Sequence, residues 1–464
     1  MVSGDNKGAY YTQPFAPLKA LIQKTYRTLA IEPQRIPRAE HPISRSQFTS
    51  AALRTLYGLK DAGYEAYIVG GGVRDLLAGL EPKDFDIATN AHPEQIKTLF
   101  RSCRLVGRRF MIAHVRFGDE ILEVTTFRGP ITESHERDDT GRILSDNEYG
   151  TLEEDAFRRD FTVNALYYDI RDYAIVDFAG GLEDIKAGVI RLIGDPELRY
   201  REDPVRMLRA IRIANKLKYR IETASAEPIA RLAPLLREIP PARLFDEIIK
   251  LLQSADGLAN FDGLRTYGLF ELLFPQTEAM LKYPRALDFV RRALANTGER
   301  VRTDQPVSPA FLYAALLWPA VAAQVNTLIS RQGHHPNTAI AQAAEDVLSQ
   351  AIQRVAIPKR FSIPMREIWA LQTRFDGRSA GRAKRLLTHP RFRAAYDFLL
   401  LRAAVGEAPQ AMADWWTQAQ VGTELPPVPA DEEGGEAADA ADPARKRRRR
   451  RGGRGRKRSG GATE

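Results

Sequence analysis

One segment constrains the fold of this chain more than any other: an apolar run that ends in three glycines and opens into a helical pattern, YIVGGGVRD (67–75). Glycines let backbone N–H groups approach an anion closely, and a helix N-terminus favours negative charge. The pattern predicts a strand-to-helix turn that holds a phosphate through the N–H groups of Gly70 and Gly71 and the side chain of Arg74. It matches neither the P-loop nor the GxGxxG fingerprint, so a tight structural turn is the alternative.

A second motif, KDFDIAT (83–89), follows the glycines after room for one helix and a turn. Side chains alternate along a strand, so we expect Asp84 and Asp86 on one face and Phe85 in the core. Two adjacent carboxylates repel each other unless a cation lies between them, and carboxylate oxygens suit Mg²⁺. The spacing therefore favours phosphoryl or nucleotidyl transfer; a solvated surface pair is the alternative.

The rest of the chain predicts an α+β protein. Short β-type runs alternate with helical patterns from residue 51 to about 180, and strand signals fade after about residue 195. The polar segment 130–150 is typical of a mobile loop. We predict, in chain order, a disordered segment, a catalytic head, a helical neck that binds the nucleotide base, a helical RNA-binding body and a disordered tail: 1–45, 46–190, 191–255, 256–420 and 421–464.

The net charge of +9 comes from the C-terminal tail. Eleven of the 68 Lys and Arg residues lie within 445–458, which leaves 57 against 59 Asp and Glu. Such a tail favours a polyanion, most plausibly RNA, through counterion release; a solvated tail without a partner is the alternative.

Cysteine content and hydropathy limit the cellular compartments in which we expect this protein. The single cysteine, Cys103, excludes an intramolecular disulfide and a Cys-rich zinc site. The first residues lack a signal-peptide pattern, and the longest apolar run, 310–323, is shorter than the ~20 residues of a membrane span. We therefore expect a cytoplasmic protein without a membrane span.

The motifs VGGGVRDLLAG and KDFDIAT resemble the nucleotidyltransferase superfamily of DNA polymerase β. More narrowly, they resemble the class that joins bacterial poly(A) polymerases with CCA-adding tRNA nucleotidyltransferases. Three later motifs agree: EEDAFRRDFTVNALYYD (153–169), FAGGLEDIKAGVIRLIGDP (178–196) and YREDPVRMLRAIRIANKL (200–217). The resemblance covers roughly residues 60–405. It implies a polymerase β-like head with a small mixed sheet and helices, followed by an all-helical neck, body and RNA-binding region.

The resemblance also implies site residues in FRRDF and beyond. It assigns nucleotide contact to Arg159 and makes Asp160 the third acid of the catalytic site. Glu123, which alternates with apolar neighbours in ILEVTTFR, competes for that role and ranks below Asp160. Each acid also has a structural alternative. Asp160 could belong to an exposed, salt-bridged turn, and Glu123 could be a structural acid whose hydrogen bonds are satisfied on its strand.

Three arginines recur every third residue in the helical pattern after Asp203-Pro204. At this spacing they drift along one side of a helix, next to an apolar stripe. A solvated basic face is the usual explanation, but the resemblance implies that Arg209 and Arg212 face the incoming nucleotide. Of the three, Arg206 is the one that we expect to have a structural role.

The implied reaction is the attack of an RNA 3′-hydroxyl on ATP, with two Mg²⁺ ions held by Asp84 and Asp86. The segments 104–118, 357–361 and 389–403 resemble the poly(A) polymerases. Ala242 and Arg243 stand where CCA-adding enzymes carry base-reading acids. We therefore predict a polynucleotide adenylyltransferase that acts on RNA 3′ ends, of mRNA and other transcripts, in polyadenylation and decay. A CCA-adding enzyme and a non-catalytic RNA-binding protein are the alternatives.

Basic and aromatic residues alternate late in the helical region. Arginines interleaved with aromatic rings can hold single-stranded RNA by phosphate contact and base stacking. The alternative is that the rings form core and the cations are solvated. The residues are Trp369, Arg374, Phe375, Arg378, Arg382, Lys384, Arg385, Arg391, Phe392, Arg393 and Tyr396.

Overall fold

The computed structural model describes residues 33–107, 110–129, 148–421 and 425–426. The chain forms two compact units. The first comprises the described residues up to Pro275, with Thr297–Gln305 and Ala351–Ala356; the second comprises Gln276–Asn296, Pro306–Gln350 and the described residues from Ile357 onward. The boundary predicted near residue 190 does not divide two compact units, because the head and neck regions both belong to the first.

A mixed eight-stranded sheet forms the base of the first unit. Strands β1 to β8 are Gln34–Ile36, Ala66–Val69, Asp86–Thr89, Cys103–Val106, Ile112–Phe117, Glu120–Thr126, Leu166–Asp169 and Ile175–Asp177. Their order is β1-β8-β7-β2-β3-β6-β5-β4. β3 and β6 run parallel, and the other described neighbours run antiparallel. The mixed sheet confirms the predicted α+β head, although eight strands exceed the small sheet that was expected.

The prediction that disorder extends to residue 45 is wrong for residues 33–45. β1 pairs antiparallel with β8 at the edge of the sheet. Arg35 of β1 also donates to Asp169 and Asp172, at 2.7 and 2.6 Å. A strand of three residues is too short to show a period, so its pairing could not be read from the sequence. The other segments predicted to be disordered or mobile, 1–32, 130–147 and most of 421–464, lie outside the described residues.

The region after residue 190 is mostly helical but not entirely so. β9 (Val189–Ile190) and β10 (Arg220–Ile221) pair in parallel, which corrects the all-helical prediction for the neck. The pairing arises because Lys218, at a φ of 60°, ends the preceding helix and turns the chain back. Two residues are again too few to show a strand pattern.

Helices of the first unit pack on the sheet, and other helices form the second unit. Along the described chain the α-helices are Ser50–Asp61, Gly71–Leu77, Pro93–Leu99, Leu152–Arg158, Gly181–Ala187, Pro196–Glu202, Val205–Leu217, Thr223–Leu232, Pro241–Leu252, Gly257–Thr266, Leu269–Leu273, Pro275–Met280, Pro284–Arg302, Pro309–Gln332, Pro336–Arg354, Lys359–Gln372, Ala380–Leu387, Phe392–Ala404 and Gln410–Ala419. Short 3₁₀ helices cover Arg38–Glu40, Arg45–Gln47, Thr162–Asn164 and Ala233–Glu238.

The four aromatic side chains predicted to stack on RNA lie in the core of the second unit. Their exposed fractions are 0% for Trp369, 0% for Phe375, 7% for Phe392 and 5% for Tyr396. The indole N–H of Trp369 is also satisfied internally, by the carbonyl of Ala314 at 3.1 Å. The stacking prediction is therefore wrong, because the rings are buried in the apolar core and cannot stack on RNA bases.

One described helix, Pro309–Gln332, is long and apolar enough to cross a membrane by length and composition alone. Of its most apolar window, 61% is buried inside the protein. It therefore serves as a core helix of the second unit.

Candidate active site

The three glycines form the turn between β2 and the helix Gly71–Leu77. Gly70 has a φ of +73°, a conformation that residues with a side chain rarely adopt. A Cβ atom placed on Gly70 would lie 3.5 Å from Arg159 Nη1 and 3.9 Å from Asp86 Oδ2. The turn thus lies beside both a cation and a carboxylate, and the approach of the carboxylate to the glycines is what the spacing of the first two motifs predicted.

The carboxylates lie on the strand next to the glycine turn. β3 begins at Asp86, which pairs with Val69 of β2 on one side and with Glu123 of β6 on the other. Phe85 is buried between the exposed Asp84 and the half-buried Asp86, so the predicted alternation is present. Burial, and then the charges of Glu123 and Asp84, raise the pKa of Asp86 to about 6. Negative charge is therefore concentrated where β3 begins, between β2 and β6.

The two candidates for the third acid, Asp160 and Glu123, lie in different surroundings. Asp160 is buried and accepts from Arg209 Nε at 2.6 Å and from Asn164 Nδ2 at 2.9 Å. Although burial opposes ionisation, these partners hold the pKa of Asp160 below its usual range. Glu123 instead lies in register with Asp86, and its side chain is 53% exposed. Glu123 is therefore the neighbour of Asp86 in the sheet, whereas Asp160 holds Arg209.

Arg159 is held beside the glycine turn by two buried partners that sequence reasoning missed. Its Nη2 and Nε atoms lie 2.9 and 3.1 Å from Asp155 Oδ2, and Nε also donates to Tyr167 Oη at 2.8 Å. Although burial opposes the charge, Tyr167 and Asp155 raise the pKa of Arg159. The guanidinium is therefore permanently charged and fixed in orientation. Asp155 lies one helical turn before Arg159, and that spacing was the available signal.

Arg74, predicted to hold a phosphate, is instead bound within the protein. Its side chain is buried and donates to Asp75 Oδ1 and to Asn164 Oδ1, both at 2.6 Å. The other oxygen of Asp75 accepts from Lys216 at 2.6 Å. Asn164 thus joins Arg74 to Asp160, a role that nothing in the motif indicated. The network ties the glycine turn to the helix that follows the head.

That helix, Val205–Leu217, carries the three arginines on a side next to a buried apolar stripe, as predicted. Arg209 reaches the head through its ion pair with Asp160. Arg212 donates to Glu247 Oε1 of the helix Pro241–Leu252 at 2.6 Å. Arg206 binds a carbonyl and a carboxylate of the preceding helix at 2.7 and 2.9 Å, which agrees with its expected structural role.

Among the residues that the structure describes, no three His, Cys, Asp or Glu side chains lie close enough to form a recognisable metal-binding group. The donor chemistry of Asp84, Asp86 and Glu123 nevertheless fits a hard divalent cation, since all three supply oxygen. Burial and the neighbouring charges of Glu123 and Asp84 raise the pKa of Asp86, and a bound cation would offset this effect.

Gly72, the third glycine, is required for packing and not for conformation. A Cβ atom there would lie 2.8 Å from Phe85 Cδ1 and 3.4 Å from the Asp84 carbonyl oxygen. Phe85 is itself buried against Phe48, with ring centroids 5.3 Å apart, so it has little room to move. We expect Gly72→Ala to displace the Asp84–Asp86 segment and to lower kcat at least about tenfold.

The measurement is nucleotide incorporation at saturating substrates, with thermal unfolding to confirm that the variant folds. Gly79→Ala is the control, because the space around Gly79 is open even though its φ of +73° adds some strain. If Gly72→Ala and Gly79→Ala retain the same kcat, the packing role of Gly72 is wrong.

Comparison with known proteins gives the same architecture. Residues 66–191 match the Poly A polymerase head domain, 218–281 the probable RNA and SrmB-binding site of polymerase A, and 332–454 the polymerase A arginine-rich C-terminus. The chain is 50% identical to Poly(A) polymerase I of Salmonella typhi over 397 residues, 83% of this chain and 85% of that protein.

CCA-adding enzymes are more distant. That of Lactobacillus helveticus is 42% identical over 204 residues, 43% of this chain and 49% of that enzyme. The crystal structure of the Bacillus stearothermophilus CCA-adding enzyme in complex with CTP superposes with a TM-score of 0.54 at 25% identity, covering 86% of this chain and 93% of that one. Similarity to the poly(A) polymerases therefore extends over most of the chain, whereas sequence similarity to the CCA-adding enzymes covers less than half.

Proposed function

Because the chain belongs to the poly(A) polymerase family, we propose that its adenylate transfer depends on Mg²⁺ held by Asp84, Asp86 and Glu123. The enzyme is a nucleotidyltransferase that adds AMP from ATP to RNA 3′ ends. The observation that supports the metal assignment is the register that places Asp86 between the glycine turn and Glu123. This assignment replaces the set Asp84, Asp86 and Asp160 expected from the sequence.

Bound Mg²⁺ would supply Lewis-acid stabilisation of the transferring phosphoryl group and favour ionisation of the RNA 3′-hydroxyl. The protein contributes position and fixed charge. Arg159, locked by Asp155 and Tyr167, presents Nη1 to the glycine turn, where the N–H groups of Gly70 and Gly71 receive the triphosphate. Because these groups are already ordered, they do not have to reorganise when the α-phosphorus is attacked.

The base side of the site is built on the helix Val205–Leu217. Asp160 fixes Arg209, and Glu247 fixes Arg212, so each guanidinium is oriented before the nucleotide arrives. Arg243, at a position where CCA-adding enzymes were expected to carry an acid, is itself paired with Asp203 at 2.6 Å. These ion pairs form a rigid wall of fixed orientation that suits repeated use of one nucleotide better than alternation between two.

Primer extension with each nucleoside triphosphate separately tests the proposal. A labelled oligo(A) primer should lengthen progressively with ATP and Mg²⁺, and EDTA should stop the reaction. Addition of C, C and A to a truncated tRNA, followed by arrest, would establish a CCA-adding enzyme instead. Absence of any extension would favour the non-catalytic RNA-binding alternative.

The biological setting is a further part of the proposal. We propose that the enzyme accepts a broad range of RNA substrates, so that it acts on mRNA and other transcripts and leads to their decay. A cytoplasmic location stays a prediction from the sequence. Northern analysis of transcript 3′ ends in cells that lack the enzyme measures the first, and fractionation measures the second.

A further inference from the structure

The helix Val205–Leu217 is bound to the head at two points on one of its sides. Near its middle, Arg209 donates to Asp160 at 2.6 Å. Near its end, Lys216 donates to Asp75, also at 2.6 Å. The two cations are seven residues apart, about 10.5 Å along the axis, and a helix drifts by only about 20° over that interval. The helix therefore presents both cations to the head from the same side.

The two acids of the head are joined to each other by buried polar side chains. Asp75 Oδ1 accepts from Arg74 Nη2 at 2.6 Å and from its Nε at 2.9 Å. Asn164 Oδ1 accepts from Arg74 Nη1 at 2.6 Å, and Asn164 Nδ2 donates to Asp160 at 2.9 Å. All four of these residues are buried. Because a broken contact in such a network leaves a buried polar group unsatisfied, the positions of its two ends depend on each other.

Arg74 also borders the glycine turn. A Cβ atom placed on Gly71 would lie 3.6 Å from Arg74 Nη2, the same nitrogen that Asp75 Oδ1 binds. The other oxygen of Asp75 accepts from Lys216. The Lys216 side chain is 38% exposed, whereas that of Asp75 is 4% exposed. Lys216 thus orients, from the surface, the buried carboxylate that orients the neighbour of the turn.

We propose that Lys216 is a positioning residue for adenylate transfer. Its ion pair with Asp75 fixes Arg74 and the glycine turn at a set distance from Arg209, on the base side of the site. The inference rests on the proposed role of the glycine turn in binding the triphosphate. Since triphosphate and base belong to one nucleotide, a change in this distance disturbs the geometry in which the nucleotide is held for attack.

Lys216→Met removes the charge and keeps most of the apolar stem. We expect the KM for ATP to rise and kcat/KM for ATP to fall about tenfold, because a displaced turn holds the triphosphate less well. The KM for RNA and the affinity for labelled oligo(A) should stay unchanged. Lys216→Arg, which restores the charge, should recover most of the loss. Lys218→Met is the matched control, because Lys218 ends the same helix but pairs with Asp256, outside the head.

A double-mutant cycle shows whether Lys216 acts through Asp75. Asp75→Asn should lower kcat/KM for ATP at least as much as Lys216→Met does. The double variant should be no worse than Asp75→Asn alone, since the interaction is already lost. Thermal unfolding confirms that each variant folds, and Lys216→Met should lower the unfolding temperature only slightly because its end of the pair is partly exposed.

Equal kcat/KM for ATP in Lys216→Met and Lys218→Met would overturn the proposal, as would additive losses in the double variant. A parallel loss of RNA affinity would also overturn it, because a general loosening of the fold would then explain the kinetics. Activity of Asp86→Ala would instead contradict the proposed function, on which the inference rests. Loss of activity in Asp86→Ala together with an unaffected Lys216→Met would overturn the positioning role alone.

Discussion

Replacement of Asp86 with alanine is expected to abolish AMP incorporation while RNA binding is retained. Asp86 Oδ2 faces the glycine turn, and Glu123 and Asp84 flank the same carboxylate. Loss of a metal ligand at this point removes several kcal/mol of transition-state stabilisation. About 4 kcal/mol corresponds to a loss of about 10³-fold in kcat, since each 1.36 kcal/mol is a factor of ten.

Single-turnover extension of oligo(A) with ATP measures the loss, and anisotropy with the same RNA measures binding. Asp119→Ala is the matched control, because Asp119 is fully exposed on a turn and, among the residues that the structure describes, forms an ion pair only with Arg116, at 3.7 Å. The alanine at 86 should also raise stability slightly, because it relieves repulsion between carboxylates. Near-normal activity of Asp86→Ala would refute the assignment of Asp86 as a metal ligand.

Local patterns accounted for much of the sheet. The runs that became β2, β3, β5, β6 and β8 alternate or are continuously apolar, and their periods could be read directly. β7 is harder to recognise from the sequence, because its residues, LYYD, are buried on both faces and follow a charged motif. Asp169 in that strand is buried by its pairing with Arg35 and Arg171, and a contact between β1 and the rest of the sheet is not visible in any local window.

In the site, too, features set by nearby residues could be predicted from the sequence, whereas those set by distant residues could not. Alternation within one motif predicted that Asp84 and Asp86 flank a buried Phe85, and the distance between two motifs predicted that the glycine turn lies beside them. The roles of Arg74 and Asp160 depended on Asn164 and Arg209, which reach them from other elements. Because hydrogen-bond partners distant in sequence decide whether a charged side chain is available to a ligand, residue type alone could not distinguish a phosphate ligand from a buried structural cation.

Glu123→Gln provides the second large effect and decides between the two candidates for the third acid. Glutamine keeps the shape and the neutral strand contacts of Glu123 but removes its charge beside Asp86. We expect kcat to fall about 10²-fold or more, with the KM for ATP little changed, because the lost interaction acts on developing charge in the transition state. The measurement is kcat and KM for ATP over a range of Mg²⁺ concentrations, and excess Mg²⁺ should restore part of the activity.

Asp160→Asn is the matched comparison, because it also replaces a carboxylate with an amide. It should act through Arg209, whose ion pair with Asp160 is lost, and so raise the KM for ATP more than it lowers kcat. It should also lower the unfolding temperature, since a buried, hydrogen-bonded ion pair is broken, whereas Glu123→Gln should leave it unchanged because Glu123 is half exposed. If Asp160→Asn instead shows the larger loss of kcat together with dependence on Mg²⁺, the third carboxylate is Asp160. The register of β3 with β6 then contributes to the sheet and not to metal binding.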